Sequence, residues 1–587
     1  MPRGSREASA KPGWMWLALL CCLVFFFPLV VWGQRRTPPI PGSWSRGIPV
    51  AEFSQRDECG LLPSPEGAWL AWSDRLDDKL ALFLAAITPA GAVEAPRRLS
   101  LELDYRGRPQ LVPSPAGPRV LFLARESPEA ATRVFALALT REGNPIGEPL
   151  PLTPAGHDVK RFSASVTEGE LWLAWEEREG GIWLASVDPA SLAGAELWEL
   201  DAAGGFPTLA VDEKLVHVVW LVELSSALCA LKYAAIEKNV GDTSFTVVEV
   251  GRFAGGTGAL VFPPALSLET GWVYALGGFE YRGGEKAGTS EVWVVSFPVR
   301  DPDALHTYSL SIPGAFPVEC SEVIEGIEMS ALGPWQRIRP TNLFMPRGVP
   351  GVRGHALVTL GAKLFSRNSE SVQPVVVAFD EGEPVAWAPL AETRDFTYLV
   401  VIRQSDRGWH GAWLDMLGYG AYRLYYGTTA EAEKAALNRV GMDDVLHFLA
   451  LAASGIVGGL AFIPLFLIAA VPGLVLLFVH YVFGGEESLR YRWPKTLLVL
   501  SLAPYLLLKI LLASGFGGVP LARWMPQATA HLVGQVLPFV PSALAAVAIL
   551  VYARRAGEPT LFPAWGTFIV VDILFTVLIV GPVFAGL

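Results

Sequence analysis

From Asp443 to Leu587 the chain is a succession of apolar runs, each long enough to cross a bilayer and separated by short loops that carry arginines. About 20 apolar residues at 1.5 Å rise span a hydrocarbon core near 30 Å, and inside lipid a backbone must satisfy its own hydrogen bonds. Residues 443–587 are therefore expected to form an all-α transmembrane bundle of four or five segments. The stretch Asp444 to Phe483 is about twice one span. It is either a hairpin turning near Pro464 or Pro472, or one crossing preceded by an interfacial or re-entrant piece. Further spans are read at Thr496 to Ser514, His531 to Tyr552 and Pro563 to Val580.

The loops between these spans hold Arg490, Arg492 and Lys495, then Arg523, then Arg554 and Arg555. Cytoplasmic loops are enriched in Lys and Arg, which places the first and third of these in the cytoplasm. At the other end, Arg3, Arg6 and Lys11 precede an apolar run from Trp14 to Trp32. The flank Val30-Val31-Trp32-Gly33-Gln34 lacks a small-x-small cleavage pattern, so the run reads as a transmembrane signal anchor behind a basic tail, residues 1–13. With an exported middle domain, the reading preferred here, residues 444–483 must make an odd number of crossings; as a hairpin they would place the middle domain inside.

Two ionisable residues lie inside the spans: Lys509 in Tyr505-Leu-Leu-Leu-Lys509-Ile, and Asp572 in Val571-Asp572-Ile573. A charge at that depth costs a few kcal/mol even on the insertion scale, so each must find a partner. They form an intramembrane polar pair in one reading, either an ion path or a structural pair that fixes helix register. His447, His480, His531 and Gln535 fall near span ends, where interfacial water solvates them, and Gly455 and Gly459 have small-xxx-small spacing.

Between the anchor and the bundle, residues 33–427 repeat a theme without repeating letters. Leu61-Leu-Pro-Ser-Pro-Glu-Gly-Ala-Trp69-Leu-Ala-Trp72, Leu111 to Leu123, Phe162 to Trp175, Phe206 to Trp220 and Pro263 to Tyr274 each read as strand, turn, strand. Starts recur every 44 to 57 residues, roughly the period of four-stranded propeller blades, which bury their faces only by stacking round an axis. The expected fold is an all-β propeller of six to eight blades, with the N-terminal anchor before it and the helical bundle after it. Ser64-Pro-Glu-Gly with Trp69, and Ser163-Ala-Ser165, resemble the repeats of TolB-like propellers, and Pro207 to Trp220 is similar to those of sialidase-type propellers. The resemblance implies a fold and carries no activity. Ser311 to Pro350 has no blade signature and reads as an insertion or a distorted blade. Residues 428–442 read as a short helical linker, with Thr428 and Glu431 at capping-box spacing.

The chemistry is harder to find. A net charge of −11 and a pI near 5.4 exclude the basic footprint of a nucleic-acid binder. Cys59, Cys229 and Cys320 are widely spaced, allow at most one disulfide, and read as buried small hydrophobes. There is no Gly-x-Ser-x-Gly elbow, HExxH helix, phosphate loop or acidic calcium loop, so no catalytic, cofactor or metal set is assigned. Arg337 and Arg339 lie near each other, but no sialidase box accompanies them. Asp74, Asp77 and Asp78, and Glu176, Glu177 and Glu179, follow strands and read as solvated turns; His157 and His217 have no second ligand. The expectation is a non-enzymatic, extracytoplasmic propeller that binds a ligand, protein or glycan at the mouth of its channel and couples to helices in the lipid bilayer. The alternatives are an enzyme acting on a polysaccharide or peptide in that channel, and a transport or signalling component built on Lys509 and Asp572.

Overall fold

The computed structural model describes residues 40–580 except 41, 56, 66, 115–116, 168–169, 188–195, 226–227, 239–244, 257, 318–319, 333–341, 352–353, 367–368, 394, 419, 440, 461, 486–487, 514–532 and 534–535. The anchor expected at 14–32, together with Arg337, Arg339, Arg523, His531 and Gln535, lies outside the described residues. Residues 36–439 form one compact unit and residues 440–587 belong to another.

The first unit is a seven-bladed β-propeller. Blade one uses the strands Cys59–Ser64, Gly67–Leu76, Lys79–Ile87 and Arg97–Leu99, and blades two, three and four repeat this four-stranded antiparallel order from Asp104, Val159 and Gly205. Blade five splits its inner edge into Ala259–Val261 and Ala265–Glu269, both paired to Trp272–Tyr281. Blade six starts at Leu343–Gly348 and blade seven at Phe396–Ser405. The unpatterned stretch after Ser311 is an insertion: its hairpin, Glu322–Ile324 and Ile327–Ala331, extends blade six outward by pairing with Glu383–Pro389.

Ring closure joins the ends of the unit. Blade seven takes three strands from Phe396 to Thr428, and its fourth, outer strand is Ile48–Phe53, paired antiparallel to Ala421–Thr428. Each seam between neighbouring blades holds one apolar cluster. Trp69 and Leu84 meet Leu111 and Phe122 between blades one and two, and Leu399 and Leu414 meet Leu61 and Leu70 where blade seven closes on blade one. The other five seams are built alike. Because both faces of a blade are covered, the middle strands are buried almost without alternation, as in Leu171-Trp-Leu-Ala-Trp-Glu176. Between blades five and six the backbones touch: a Cβ on Gly348 would fall 1.7 Å from the Leu266 carbonyl oxygen.

Two blades share a polar bracket at identical spacing. His217 Nδ1 lies 2.7 Å from the Tyr233 hydroxyl in blade four, and His410 Nδ1 lies 2.7 Å from that of Tyr426 in blade seven, each 16 residues apart. In blade seven the Tyr426 hydroxyl donates on to Glu433, in helix α1 (Glu431–Leu437), at 2.8 Å. Helix α1 is thus docked on the propeller, with Glu433 and Leu437 buried. The expected capping box does not form: the N-cap is Ala430, and Thr428 ends a strand, where its hydroxyl donates to the Trp409 carbonyl at 2.7 Å.

The second unit contains helices α2 (Met442–Leu460), α3 (Phe462–Gly484), α4 (Arg492–Ala513), α5 (Val540–Arg555) and α6 (Leu561–Phe575), the last continued by a π-helical turn, Thr576–Val580. Among the described residues, four spans, Gly455–Gly484, Arg492–Leu511, Leu537–Arg555 and Leu561–Val580, are long and apolar enough to cross a membrane. A hairpin at Pro472 is corrected: Pro472 lies inside α3, whose residues continue as helix to Gly484. Their inner faces meet through Phe466, Leu477, Tyr505, Ala545 and Phe568. Their outer faces carry Ile468 (68% exposed), Val499 (70%) and Val570 (66%), a distribution suited to lipid and not to water. The loop after α3 and the loop after α5 pair with each other: Leu489 N donates to the Pro559 carbonyl at 2.8 Å, and Arg490 Nη2 to that of Gly557 at 2.9 Å.

Candidate functional site

The inner strands of all seven blades surround a central cavity of about 640 Å³. Among the described residues, its charged lining is four arginines, Arg108, Arg161, Arg347 and Arg403, against two carboxyl groups, Asp57 and Glu58. Hydroxyls and amides from Gln110, Ser163, Ser165, Thr208 and Gln404, with the rings of Phe206 and Tyr398, complete the polar wall.

Three of the four arginines sit where an inner strand breaks register. The ladder shifts between Gly107 and Gln110 around Arg108, between Val159 and Arg161, and between Phe344 and Arg347. A bulge bends the strand and re-aims a side chain. Three non-glycine channel residues also hold left-handed backbone: Arg108 at φ 58°, Phe206 at φ 58° and Met345 at φ 49°. Such conformations cost on the order of 1 kcal/mol each and gather at ligand sites. The other such residues among those described, Asp77, Asp78, Glu325 and Glu381, sit in turns between strands and not on this wall.

Glu58, at the entry to blade one, joins the opposite sides of the ring. Its Oε1 accepts from Arg108 of blade two at 2.8 Å and from Arg347 of blade six at 3.3 Å. Burial works against its ionisation, but the charges of Arg347 and Arg108 outweigh burial and hold the carboxyl below its ordinary value. Arg161 Nη1 donates to Glu176 at 3.0 Å and its guanidinium lies 3.7 Å over the Phe206 ring, a cation–π contact. Glu176 also pairs with Lys160 and accepts from Phe206 N at 2.9 Å. Arg403 has no carboxylate within ion-pair reach among the described residues; its Nη1 donates to the Ile402 carbonyl at 3.1 Å. Burial, with Arg347 beside it, pushes Arg403 down to about 10.

Asp57 belongs to the scaffold. Its oxygens accept from Ser73 Oγ at 2.6 Å, Arg108 N at 2.8 Å and Glu58 N at 2.8 Å, which ties blade one to blade two, and burial raises its pKa. Burial likewise pushes the Cys59 thiol up to about 12, so it is no nucleophile near neutral pH. Cys59 and Cys229 are buried, Cys320 is half-buried, and all three are free. Among the described residues, no His, Cys, Asp and Glu cluster has metal-site geometry.

The acidic turns divide. Asp77 and Asp78 do form an exposed turn, but Glu176 is a correction: it is 3% exposed, because it faces Lys160, Arg161 and the Phe206 amide from the next blade. His157 meets Glu177, and His217 lies 3.0 Å from Asp212. In the helical unit, Lys509 Nζ lies 2.8 Å from both oxygens of Asp572, 3.1 Å from Ser542 Oγ and 3.0 Å from Thr576 Oγ1. Ser542 Oγ and the Tyr505 hydroxyl donate to Asp572 as well.

No family model matches the sequence, and no curated protein matches it. Among solved structures it is similar to the polysaccharide lyase Uly1 (8% identity, TM-score 0.43, 64% of this chain and 90% of that one). It is also similar to an alpha-L-arabinanase of Penicillium chrysogenum (10%, 0.33, 55% and 92%) and to a subtype N11 neuraminidase-like protein of A/flat-faced bat/Peru (9%, 0.32, 67% and 95%). At these values the likenesses carry no argument about chemistry, and the site is read from its own residues.

Proposed function

We propose that this is a membrane protein whose extracytoplasmic propeller captures an anionic ligand in its central channel and acts as a binding module. The observation that carries this reading is the arginine set: four guanidinium groups from four blades, aimed inward largely at bulges, against two carboxyl groups, one of them engaged in the blade seam. Arginine in a partly desolvated wall is suited to planar oxyanions, and excess positive charge in a low-dielectric cleft attracts them from solution. A catalytic reading would need a free acid or base on that wall. Asp57 has its oxygens engaged and Glu58 is paired to two arginines, so neither favours it.

The test is calorimetric titration of the full-length protein in detergent with trigalacturonate, with inorganic phosphate and with neutral maltotriose. At least one anion is expected to bind, more weakly as salt rises, and Arg403→Met is expected to lose about tenfold or more, the worth of a charged hydrogen bond. Equal binding of maltotriose, or an unaffected Arg403→Met, would contradict the proposal.

Sidedness is supported by the helical unit. Arg490, Arg492, Arg554 and Arg555 gather where the loops after α3 and α5 pair, so they share one end of the unit. The positive-inside rule assigns that end to the cytoplasm. With Gly455–Gly484 as the first described span, the chain before it enters from the opposite side. A reporter fused within the 556–560 loop is expected to be active in the cytoplasm, and one placed in the 430–440 segment outside; the reverse pattern would overturn the assignment.

A further inference from the structure

We propose that Glu58 is a built-in occupant of the anion subsite: its carboxylate joins Arg108 to Arg347 until a ligand oxyanion, whether carboxylate, sulfate or phosphate, displaces it and docks between Arg347 and Arg403. This rests on the reading of the channel as an anion site and names how that site is filled.

Three features support displacement. First, Glu58 holds both arginines through a single oxygen, Oε1, at 2.8 and 3.3 Å. Neither pairing is the two-pronged fork that makes arginine–carboxylate contacts strong and geometrically demanding, so a ligand that offers both oxygens to one guanidinium competes well. Second, the backbone around Glu58 is pinned. Glu58 N donates to Asp57, Arg108 N donates to the same carboxyl group, and Cys59 begins the inner strand of blade one. Rotation of the side chain alone releases the arginines, with no loop movement. Third, Arg403 is the channel arginine without a carboxylate partner: it makes no ion pair among the described residues, it lines the same cavity as Arg347, and it feels the charge of Arg347. Two guanidinium groups on one channel wall, one lightly held and one unpaired, outline a seat for a single oxyanion. Arg161 is excluded from that seat by its own partner, Glu176, and by its stack on Phe206.

The sign of the effect follows. A permanent counter-ion would position the arginines, and removing its charge would weaken binding. A displaceable occupant competes, and removing its charge strengthens binding. The experiment titrates the full-length protein in detergent, as wild type, Glu58→Gln and Glu58→Asp, with trigalacturonate and separately with inorganic phosphate. Glu58→Gln is expected to bind about tenfold more tightly, equivalent to about 1.4 kcal/mol. Glu58→Asp, one methylene too short to reach both arginines, is expected to shift in the same direction and serves if the glutamine variant does not fold. Tightening confined to trigalacturonate identifies a sugar carboxylate, and tightening confined to phosphate identifies a phosphoryl anion; either supports displacement. If wild type binds and the variants, melting as wild type does, bind equally or more weakly, Glu58 is a fixed counter-ion and the proposal is overturned. If wild type binds neither probe, the channel reading itself fails.

Discussion

Lys509→Met is expected to destabilise the helical unit by about 3–5 kcal/mol, because it leaves the Asp572 carboxylate buried among hydroxyls with no counter-charge. The pair is closed from solvent, with side chains 3% and 0% exposed, and every hydrogen of the Lys509 ammonium has a partner in Asp572, Ser542 or Thr576. Lys509→Met with Asp572→Asn is expected to recover most of the loss. Tyr505 and Ser542 donate to different oxygens of Asp572; the amide keeps an acceptor for one of these hydroxyls, its NH2 can donate to the other once that hydroxyl turns, and it brings no net charge, and replacing both members of a buried ion pair is often close to neutral. Thermal unfolding in detergent reads both variants. A single variant as stable as wild type, or a double variant no better than the single, would contradict the view that these residues join α4, α5 and α6 as a structural pair. The saturation of the pair also speaks against an ion path, which needs an acceptor that opens.

Asp415→Asn is expected to stabilise the propeller above neutral pH. Asp415 lies fully buried in the middle strand of blade seven, with Thr397 Oγ1 donating to Oδ1 at 2.8 Å and Oδ2 buried without a partner. Burial, with Asp395 nearby, raises its pKa from 3.8 to about 7, against the smaller opposing effects of Thr397, Thr393 and Arg423. A carboxyl group raised in the folded state contributes stability that is fully present below pH 3.8 and lost as pH rises to about 7. A shift of that size corresponds to roughly 4 kcal/mol. The wild-type melting temperature is expected to fall between pH 4 and pH 7 by more than that of Asp415→Asn, so the variant gains as pH rises. Parallel pH profiles for the two proteins would show that Asp415 does not titrate in this window.

How much of this was legible in the sequence depended on range. The blade period could be read because each strand–turn–strand unit is local: Leu61 to Trp72 and Phe162 to Trp175 announce themselves within a dozen residues. Closure could not be read, since Ile48–Phe53 pairs with a strand about 370 residues away and has no unusual composition. The insertion after Ser311 was visible only as a gap in pattern, because its hairpin joins the outer edge of blade six from earlier in the chain. Pro472 was a plausible turn on local grounds; flanked by apolar residues on both sides, it is instead carried within α3.

The candidate site was the least legible part. Arg337 and Arg339 stand out because they are two residues apart in sequence, whereas Arg108, Arg161, Arg347 and Arg403 are brought together only when the ring closes. A usable signal did exist: Arg108 and Arg161 both fall on the first strands of successive blades, as the fifth and the third of nine residues. Glu176 was misjudged because Glu176, Glu177 and Glu179 look like one turn, while the strand in fact includes Glu176 and turns it toward Arg161. Lys509 and Asp572 stood out for the opposite reason, since a charge in an apolar span is conspicuous wherever its partner lies.

The ring is proposed to hold an anion between arginines of different blades. An anomalous difference map from crystals of the full-length protein grown with sodium selenate tests it most directly. The account predicts a selenium peak in the central channel within hydrogen-bonding distance of the Arg347 and Arg403 guanidinium groups, with the Glu58 side chain rotated away. Selenium peaks confined to the outer surface of the propeller, with Glu58 still bridging Arg108 and Arg347, would contradict it.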